Sequence, residues 1–429
     1  MKASRLMTRA LVVLALGWMI VPAPEAHAIT AWARKYGMSC TGCHTAGYKL
    51  NGTGQKFLRA GHKMGESDMK GANMSDYLSF TGKLRSTAKY TKTEQGANRL
   101  DKKEPKNGFQ AHALSIYTGG PLDKGFSYFG EFYLSENEAK SESVSNLNSE
   151  ATVSDQGNWA RGKLAEMYLQ YHKNFNEDFF VSARMGRIMS SLIHFHGGGA
   201  RLEYSRPLSY TTTVGNNPYR TFNRQYGWSA ASGYKDLYAE FGLVNGTGKN
   251  ENAVEVETDS KKDFYGTLDY RFDANGSMLG AYLYKGYYPL HWFGKAAGGD
   301  RFYQYGLMGN YTAKFDKVGG ALIGSMLWGN DRYVPTGKVA EMNHRSMTYY
   351  VETQGHFMDG DIAPYAKWEY FDADTAQPDN EKFGPAIGLH VKPFDHGRFV
   401  LEYSRYLQRT SNKNDATSHD LTLELQFMF

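Results

Sequence analysis

The chain has 429 residues, a formal net charge of +5 and a mean hydropathy of −0.56. Beyond its first 28 residues no apolar run is long enough for a transmembrane helix, which excludes a helical membrane protein. Aromatic residues make up 14% of the chain and Gly numbers 47, which is typical of an outer-membrane β-barrel, although a soluble β-rich periplasmic domain has a similar composition.

Residues 1–28 predict a secretory signal peptide. Three basic residues before position 10 precede an apolar stretch over 10–21, and Ala26-His27-Ala28 is a small-x-small cleavage site. The apolar stretch is too short to span a membrane comfortably, which argues against an uncleaved anchor. We therefore expect export, with a mature chain that begins at Ile29.

The five residues Cys40-Thr41-Gly42-Cys43-His44 are the attachment signature of a c-type haem. The thiols of Cys40 and Cys43 can form thioethers to the vinyl groups of one porphyrin, and the imidazole of His44 then ligates the iron as proximal ligand. The alternatives are a periplasmic disulfide and a redox Cys pair. A thioredoxin-type pair needs a βαβ context that is absent here, and the chain has no other Cys for a zinc site.

We assign residues 29–75 to a monohaem c-type cytochrome segment. It carries seven basic residues against two acidic ones, whereas residues 76–429 are slightly negative. The anionic haem propionates could take up part of this charge, although a solvated basic helix face explains it as well. A short helix is predicted after Asn51, its N-cap, with Phe57 and Leu58 facing the porphyrin.

The distal haem ligand has several candidates after the motif. Met64 is the first choice because a thioether raises the reduction potential relative to a second imidazole and so suits an electron acceptor. His62 is the runner-up and would lower the potential. Met69 and Met74 also lie within reach, and a five-coordinate iron is a further alternative.

From residue 76 to the end, the sequence alternates apolar and polar residues, which predicts strands. In 264–272, for example, Thr267, Asp269 and Arg271 share the face opposite the aromatic residues. Most segments are long enough to cross a bilayer at a tilt, which takes about 9–11 residues. The predicted strands are 76–90, 108–119, 125–136, 162–172, 179–187, 225–232, 234–245, 262–273, 276–288, 300–315, 317–330, 345–358, 360–371, 383–393, 396–409 and 417–429.

The connections between these segments alternate between short and long. Ser232-Gly233 is one predicted short turn, and 289–299 is one predicted long loop. Short periplasmic turns and long outer loops with an even strand number are typical of a bacterial outer-membrane barrel. We therefore predict an all-β antiparallel barrel of about sixteen strands over 76–429, with extracellular loops. The haem segment would enter from the periplasm, and it would either fold into the lumen or hang below its mouth.

Two other patterns carry weaker signals. His194-Phe195-His196-Gly197-Gly198-Gly199 resembles a lipase oxyanion loop, but the nucleophile elbow that such an enzyme needs is absent. His194 and His196 could be metal ligands on an in-folded constriction loop, and ordinary loop histidines are the favoured interpretation. Acidic stretches at 138–155, 251–259 and 372–381 could gather a cationic donor or bridge lipopolysaccharide. No nucleic-acid motif and no catalytic side chain are found.

Taken together, the chain resembles the fused outer-membrane cytochrome–porins of iron-oxidising bacteria. The local match is Trp32-Ala33-Arg34, the haem motif, and Leu50-Asn51-x-x-Gly54-x-x-Phe57-x-x-x-Gly61. The family often has a Pro shortly before the aromatic residue, and Ile29-Thr30-Ala31-Trp32 has none. The barrel carries no motif of the family.

The resemblance implies extracellular oxidation of Fe(II), an oxidoreductase-type activity, with electrons passed to a soluble periplasmic cytochrome. A barrel's apolar band is about 25 Å tall, too far for one efficient tunnelling step, so a single haem could serve both sides only within the lumen. We therefore expect residues 29–75 to plug the lumen. Two alternatives remain: a diffusion porin with a periplasmic haem docking module, and export of electrons to an extracellular acceptor.

Overall fold

A computed structural model describes residues 30–47, 49–65, 73–94, 102–136, 163–199, 201–212, 219–246, 261–292, 295–333, 342–394, 396–410 and 414–429. The predicted signal peptide, Met69 and the acidic stretches at 138–155 and 251–259 lie outside these residues. Within the described ranges, no helix is both long and apolar enough to cross a membrane.

Sixteen antiparallel strands close into a barrel in which the last strand pairs with the first, which confirms the predicted fold. A small hairpin precedes the barrel in the chain. The hairpin strands are β1 His44–Ala46 and β2 Lys49–Leu50, and the barrel strands are β3 Leu78–Thr93, β4 Lys102–Pro121, β5 Phe126–Glu136, β6 Lys163–Asn174, β7 Phe179–Ile188, β8 Gln225–Tyr234, β9 Leu237–Val244, β10 Asp263–Arg271, β11 Met278–Trp292, β12 Lys295–Phe315, β13 Val318–Tyr333, β14 Met342–Phe357, β15 Ile362–Asp372, β16 Glu381–Val391, β17 Gly397–Gln408 and β18 Ala416–Met428.

The barrel has polar side chains inside and apolar side chains outside. On β10, Asp269 is 1% exposed, whereas its outward neighbours Leu268 and Tyr270 are 50% and 48% exposed. Successive side chains of a strand point to opposite faces, so this pattern follows from the period-two sequence. The predicted inward face of Thr267, Asp269 and Arg271 is confirmed. A soluble protein has the reverse arrangement, with apolar side chains inside and polar side chains outside.

Two predicted connections are wrong. The predicted turn at Ser232-Gly233 lies within β8, and the chain turns at 235–236 instead. Gly233 is needed for packing rather than for turning, because a Cβ there would lie 2.2 Å from Cε1 of Phe180. The predicted loop at 289–299 is mostly strand, since β11 and β12 stay paired as far as Trp292 and Lys295.

The described residues of the range 30–65 lie inside the barrel at the end that carries the short turns. They form α1 Thr30–Tyr36, the hairpin of β1 and β2, and α2 Gly52–Arg59. The predicted cap of α2 is confirmed, because the side chain of Asn51 accepts a hydrogen bond from the backbone N–H of Gly54 (3.0 Å). We refer to residues 30–65 as the N-terminal segment.

The chain between β7 and β8 also turns into the barrel. Residues 189–224, here called the in-folded loop, include α3 Ser191–Ile193 and α4 Leu208–Thr211 in their described part. Tyr210 is fully buried against Tyr350 of β14, with the ring centroids 5.9 Å apart. At the end of the loop, Arg224 pairs with Glu131 (2.9 Å) and Glu166 (3.0 Å) of the wall. The loop therefore contacts opposite parts of the inner wall.

Candidate functional site

A large cavity lies between the N-terminal segment, the barrel wall and the in-folded loop. Its volume is about 1120 Å³ when its open mouth is included, and Cys40, Cys43 and His44 all line it. Most of the side chains that line the cavity are apolar, which suits a large apolar group. The structure thus brings the predicted attachment residues together at one cavity.

The two Cys of the motif lie at the two ends of one turn. Cys40–Gly42 forms a 3₁₀ turn, and the N–H of Cys43 donates to the carbonyl oxygen of Cys40 (3.1 Å). Both residues are half-buried, and burial raises the pKa of the Cys43 thiol. Both Cys residues line the cavity, so a group bound there could reach their sulfur atoms.

Helix α2 is held directly against this turn by Asn51 and Gly54. The amide nitrogen of the Asn51 side chain donates to the carbonyl oxygens of Gly42 (3.1 Å) and Thr41 (3.3 Å). A Cβ at Gly54 would lie 2.3 Å from the carbonyl oxygen of Cys43, so no larger residue fits without a shift. The spacing Asn51-x-x-Gly54 after the motif therefore fixes the helix on the attachment turn.

Aromatic rings from both the segment and the wall form the sides of the cavity. Trp32 of α1 contacts Phe57 of α2 (centroids 5.2 Å apart), and Phe129 and Tyr168 of the barrel line the cavity opposite. Together with Leu58 these side chains would exclude water from a planar apolar group held in the cavity. Phe57 and Leu58, which we predict to face the porphyrin, both line the cavity.

His62 and Met64, the two candidate distal ligands, both line the cavity. The His62 ring is stacked between Trp32 (4.5 Å) and Phe129 (4.6 Å), and only 4% of the residue is exposed. Burial lowers the pKa of His62 to about 3, with smaller contributions from His194 and other groups, so its imidazole is neutral.

Other predicted ligands fall elsewhere or do not cluster. Met74 is 76% exposed next to the start of β3, away from the cavity lining. Within the described ranges, no group of three or more His, Cys, Asp or Glu side chains is arranged to hold a metal ion. His194 lines the cavity and His196 does not, so the structure separates these two residues of the in-folded loop.

The segment is tied to the barrel by a buried ion pair and backbone hydrogen bonds. Arg59 at the end of α2 pairs with Asp269 of β10, and the Asp269 side chain is fully buried. The side-chain amide of Gln55 donates to the carbonyl oxygen of Gly276 (2.9 Å), and the indole N–H of Trp32 donates to that of Gly119 (2.8 Å). These contacts place both helices against the inner wall near the short turns.

Sequence reasoning missed the wall side of the cavity. Phe129, Glu166, Tyr168 and Arg184 lie on β5, β6 and β7, and loop residues Met189 and Ser191 join them. Period-two patterning places such residues on the inner face, but only the strand register and the docking of the segment bring them opposite Cys43. No local motif marks them.

No protein-family model and no curated protein sequence matches the chain. Among solved structures, it is similar to the anion-selective porin from Comamonas acidovorans, with 10% identity and a TM-score of 0.55 over 82% of this chain and 99% of that one. The outer membrane channel DcaP of Acinetobacter baumannii is 11% identical with a TM-score of 0.49 over 82% of this chain and 97% of that one. The first likeness shows that the chain has a porin fold.

Proposed function

We propose that the chain is an outer-membrane barrel that holds one covalent c-type haem and transfers electrons between an extracellular donor and a periplasmic carrier. The observation that carries this proposal is the Cys40-x-x-Cys43-His44 turn, which faces a mostly apolar cavity inside a porin fold. A simple diffusion pore gives no reason for such a cavity.

Cys40 and Cys43 would hold the group covalently and His44 would ligate its iron. When bound, a haem supplies a one-electron redox centre. The protein contributes the environment: Trp32 and Phe57 exclude water, and Asn51 keeps the attachment turn against α2. Met64 is the distal ligand that the sequence favours.

The barrel's surface supports a location in the outer membrane. Its outer face is apolar, with Leu307 of β12 (51% exposed) between the outward tyrosines Tyr305 and Tyr311. Aromatic residues flanking an apolar band are typical of outer-membrane barrels. Short turns face the periplasm in such barrels, so we assign the long loops to the outside and the N-terminal segment to the periplasmic end.

A charge at Leu307 tests this membrane placement. Arg at an outward position near the bilayer midplane costs about 2–4 kcal/mol in such barrels. We therefore expect Leu307→Arg to lower the free energy of unfolding in lipid vesicles by this amount, whereas Leu307→Ala should cost less. Denaturant titration of the folded barrel in vesicles measures both. Equal stability of the Arg and Ala variants would contradict a lipid-facing position.

The donor that we propose is Fe(II), on the basis of the family resemblance. One electron leaves each Fe(II), which becomes Fe(III), and one electron reaches the periplasmic carrier, for which a soluble cytochrome is the proposed partner. Anaerobic addition of Fe(II) to the oxidised protein tests the donor. A change of the absorption spectrum from oxidised to reduced haem at neutral pH supports Fe(II) oxidation, and an unchanged spectrum excludes it.

A diffusion porin is the second candidate because the fold neighbours are porins and the inner wall is polar. In that case the N-terminal segment serves only as a periplasmic docking module. Planar-bilayer conductance distinguishes the two functions: a large open conductance without Fe(II) oxidation favours the pore. Electron export, the reverse direction of flow, predicts oxidation of the reduced protein by an external acceptor.

A further inference from the structure

We infer that His194 of the in-folded loop, rather than a residue of the N-terminal segment, is the distal ligand of the haem iron. The inference rests on the proposed function, because it assumes a haem attached at Cys40 and Cys43. It gives the H-F-H-G-G-G sequence a role: this stretch would bring a barrel residue to the far side of the haem pocket.

The first observation is the position of His194 relative to the predicted haem attachment residues. His194 lines the same cavity as Cys43 and His44, although it comes from the loop between β7 and β8. The residue is half-buried rather than fully buried, so part of it is open to the cavity. Its neighbours Ser191 and Ile193 are almost fully buried, which holds this part of the loop firmly against the barrel. His194 therefore reaches the cavity from a rigid support.

The second observation is how the loop holds the ring of His194. A Cβ on Gly199 would lie 2.3 Å from Nδ1 of His194 and 2.4 Å from its Cε1, so the ring packs directly on the Gly199 backbone. The N–H of Gly199 donates to the carbonyl oxygen of His194 (3.3 Å). Gly197 between them has φ of +106°, which favours glycine. Gly197 and Gly199 thus allow one edge of the His194 imidazole to pack on the backbone of the loop.

The other two candidates are less suited to the iron. Trp32 and Phe129 cover both faces of the His62 ring, and 4% of that residue is exposed, so it forms part of the cavity wall. Met64 lines the cavity with an unbranched side chain that has three rotatable bonds. A ligand held by its support loses less freedom when it binds than a flexible one does.

The consequence is a haem that ties two parts of the chain together. Cys40, Cys43 and His44 of the N-terminal segment would hold it from one part of the chain, and His194 would hold it from the in-folded loop of the barrel. A second imidazole also gives a lower reduction potential than a thioether does. The bound group would thus stabilise the docked segment and the in-folded loop at once.

The test compares the ferric haem of the full-length holoprotein with those of His194→Ala, Met64→Ala and His196→Ala. We expect the wild type, Met64→Ala and His196→Ala to share one low-spin bis-imidazole electron paramagnetic resonance spectrum. His194→Ala should lose that spectrum completely and regain it on addition of imidazole. Loss of the spectrum in Met64→Ala instead, or an unchanged spectrum in His194→Ala, would overturn the inference.

His194→Met guards against a folding defect in the Ala variant. It should give a methionine-type ferric spectrum and a raised reduction potential, and an unchanged spectrum and potential in folded His194→Met protein would count against the inference. Haem staining on denaturing gels shows whether the wild-type protein carries covalent haem, and it therefore tests the proposed function separately from the ligand assignment. If wild-type protein carries no covalent haem, the proposed function fails. If it carries covalent haem but His194 does not ligate the iron, only the assignment of His194 fails.

Discussion

Replacing both Cys40 and Cys43 by Ser is expected to leave no haem on the denatured protein, while the barrel still assembles. A thioether needs a sulfur atom, and the chain has no other Cys. The barrel strands pair with one another without the attachment turn, so their closure does not depend on it. Haem staining after denaturing electrophoresis measures the loss, and heat-dependent gel mobility measures the folded barrel.

Thr41→Ala is the matched control for this experiment. Thr41 is exposed and lies between the two Cys in the same 3₁₀ turn, so its removal disturbs the turn without removing a sulfur atom. Covalent haem should persist in this variant. Haem staining of the double Ser variant at the wild-type level would contradict the assignment of the motif.

Arg59→Ala is expected to release the N-terminal segment from the barrel. Removing one partner of a buried ion pair costs about 3–5 kcal/mol, because the other charge stays buried without compensation. Asp269, the partner, is fully buried on β10. The Arg59 guanidinium also lies 4.1 Å from the ring centroid of Tyr238, so that contact is lost too. Limited proteolysis of folded barrels should cut the segment much faster than in the wild type.

Lys56→Ala provides the control, since Lys56 is exposed on the same helix. It should leave the protection of the segment unchanged. The double variant Asp269→Asn/Arg59→Ala should be less affected than the sum of the single variants, because each change removes the same interaction. Equal proteolysis of wild type and Arg59→Ala would show that the ion pair does not hold the segment.

The barrel could be predicted because the side chains of every strand alternate between the inner and the outer face. An inward Asp269 next to an outward Leu268 and Tyr270 follows from side-chain alternation alone, and alternating connection lengths give the topology. The cap of α2 at Asn51 could be predicted for a similar reason, since it depends only on residues within one turn.

The errors arose where packing rather than local preference decides. Gly233 pairs with Phe180 on the neighbouring strand and packs against its ring. The Ser232-Gly233 pair is therefore part of a strand, although its sequence is typical of a turn. The same holds for the cavity wall: Phe129 and Tyr168 meet Trp32 and His62 only because the N-terminal segment docks beside β5 and β6. Contacts between residues so far apart leave no signal in a single sequence.

The motif on which the family resemblance rests gains a physical meaning from the structure. Asn51 and Gly54 hold α2 on the attachment turn, and Phe57 lines the cavity. Gly61 has φ of +79°, and a Cβ there would lie 2.0 Å from Oγ of Ser127, so only Gly fits beside β5. Asn51, Gly54, Phe57 and Gly61 therefore help to place the segment inside the barrel.

We propose a direction of electron flow in which one haem inside the barrel accepts electrons from the side of the long loops. Its most direct test is anaerobic Fe(II) added to only one side of vesicles in which the oxidised protein has a known orientation, with the haem spectrum as readout. Fe(II) on the long-loop side should reduce the haem without entering the vesicles. A haem that is reduced only after Fe(II) reaches the short-turn side would contradict this direction of flow.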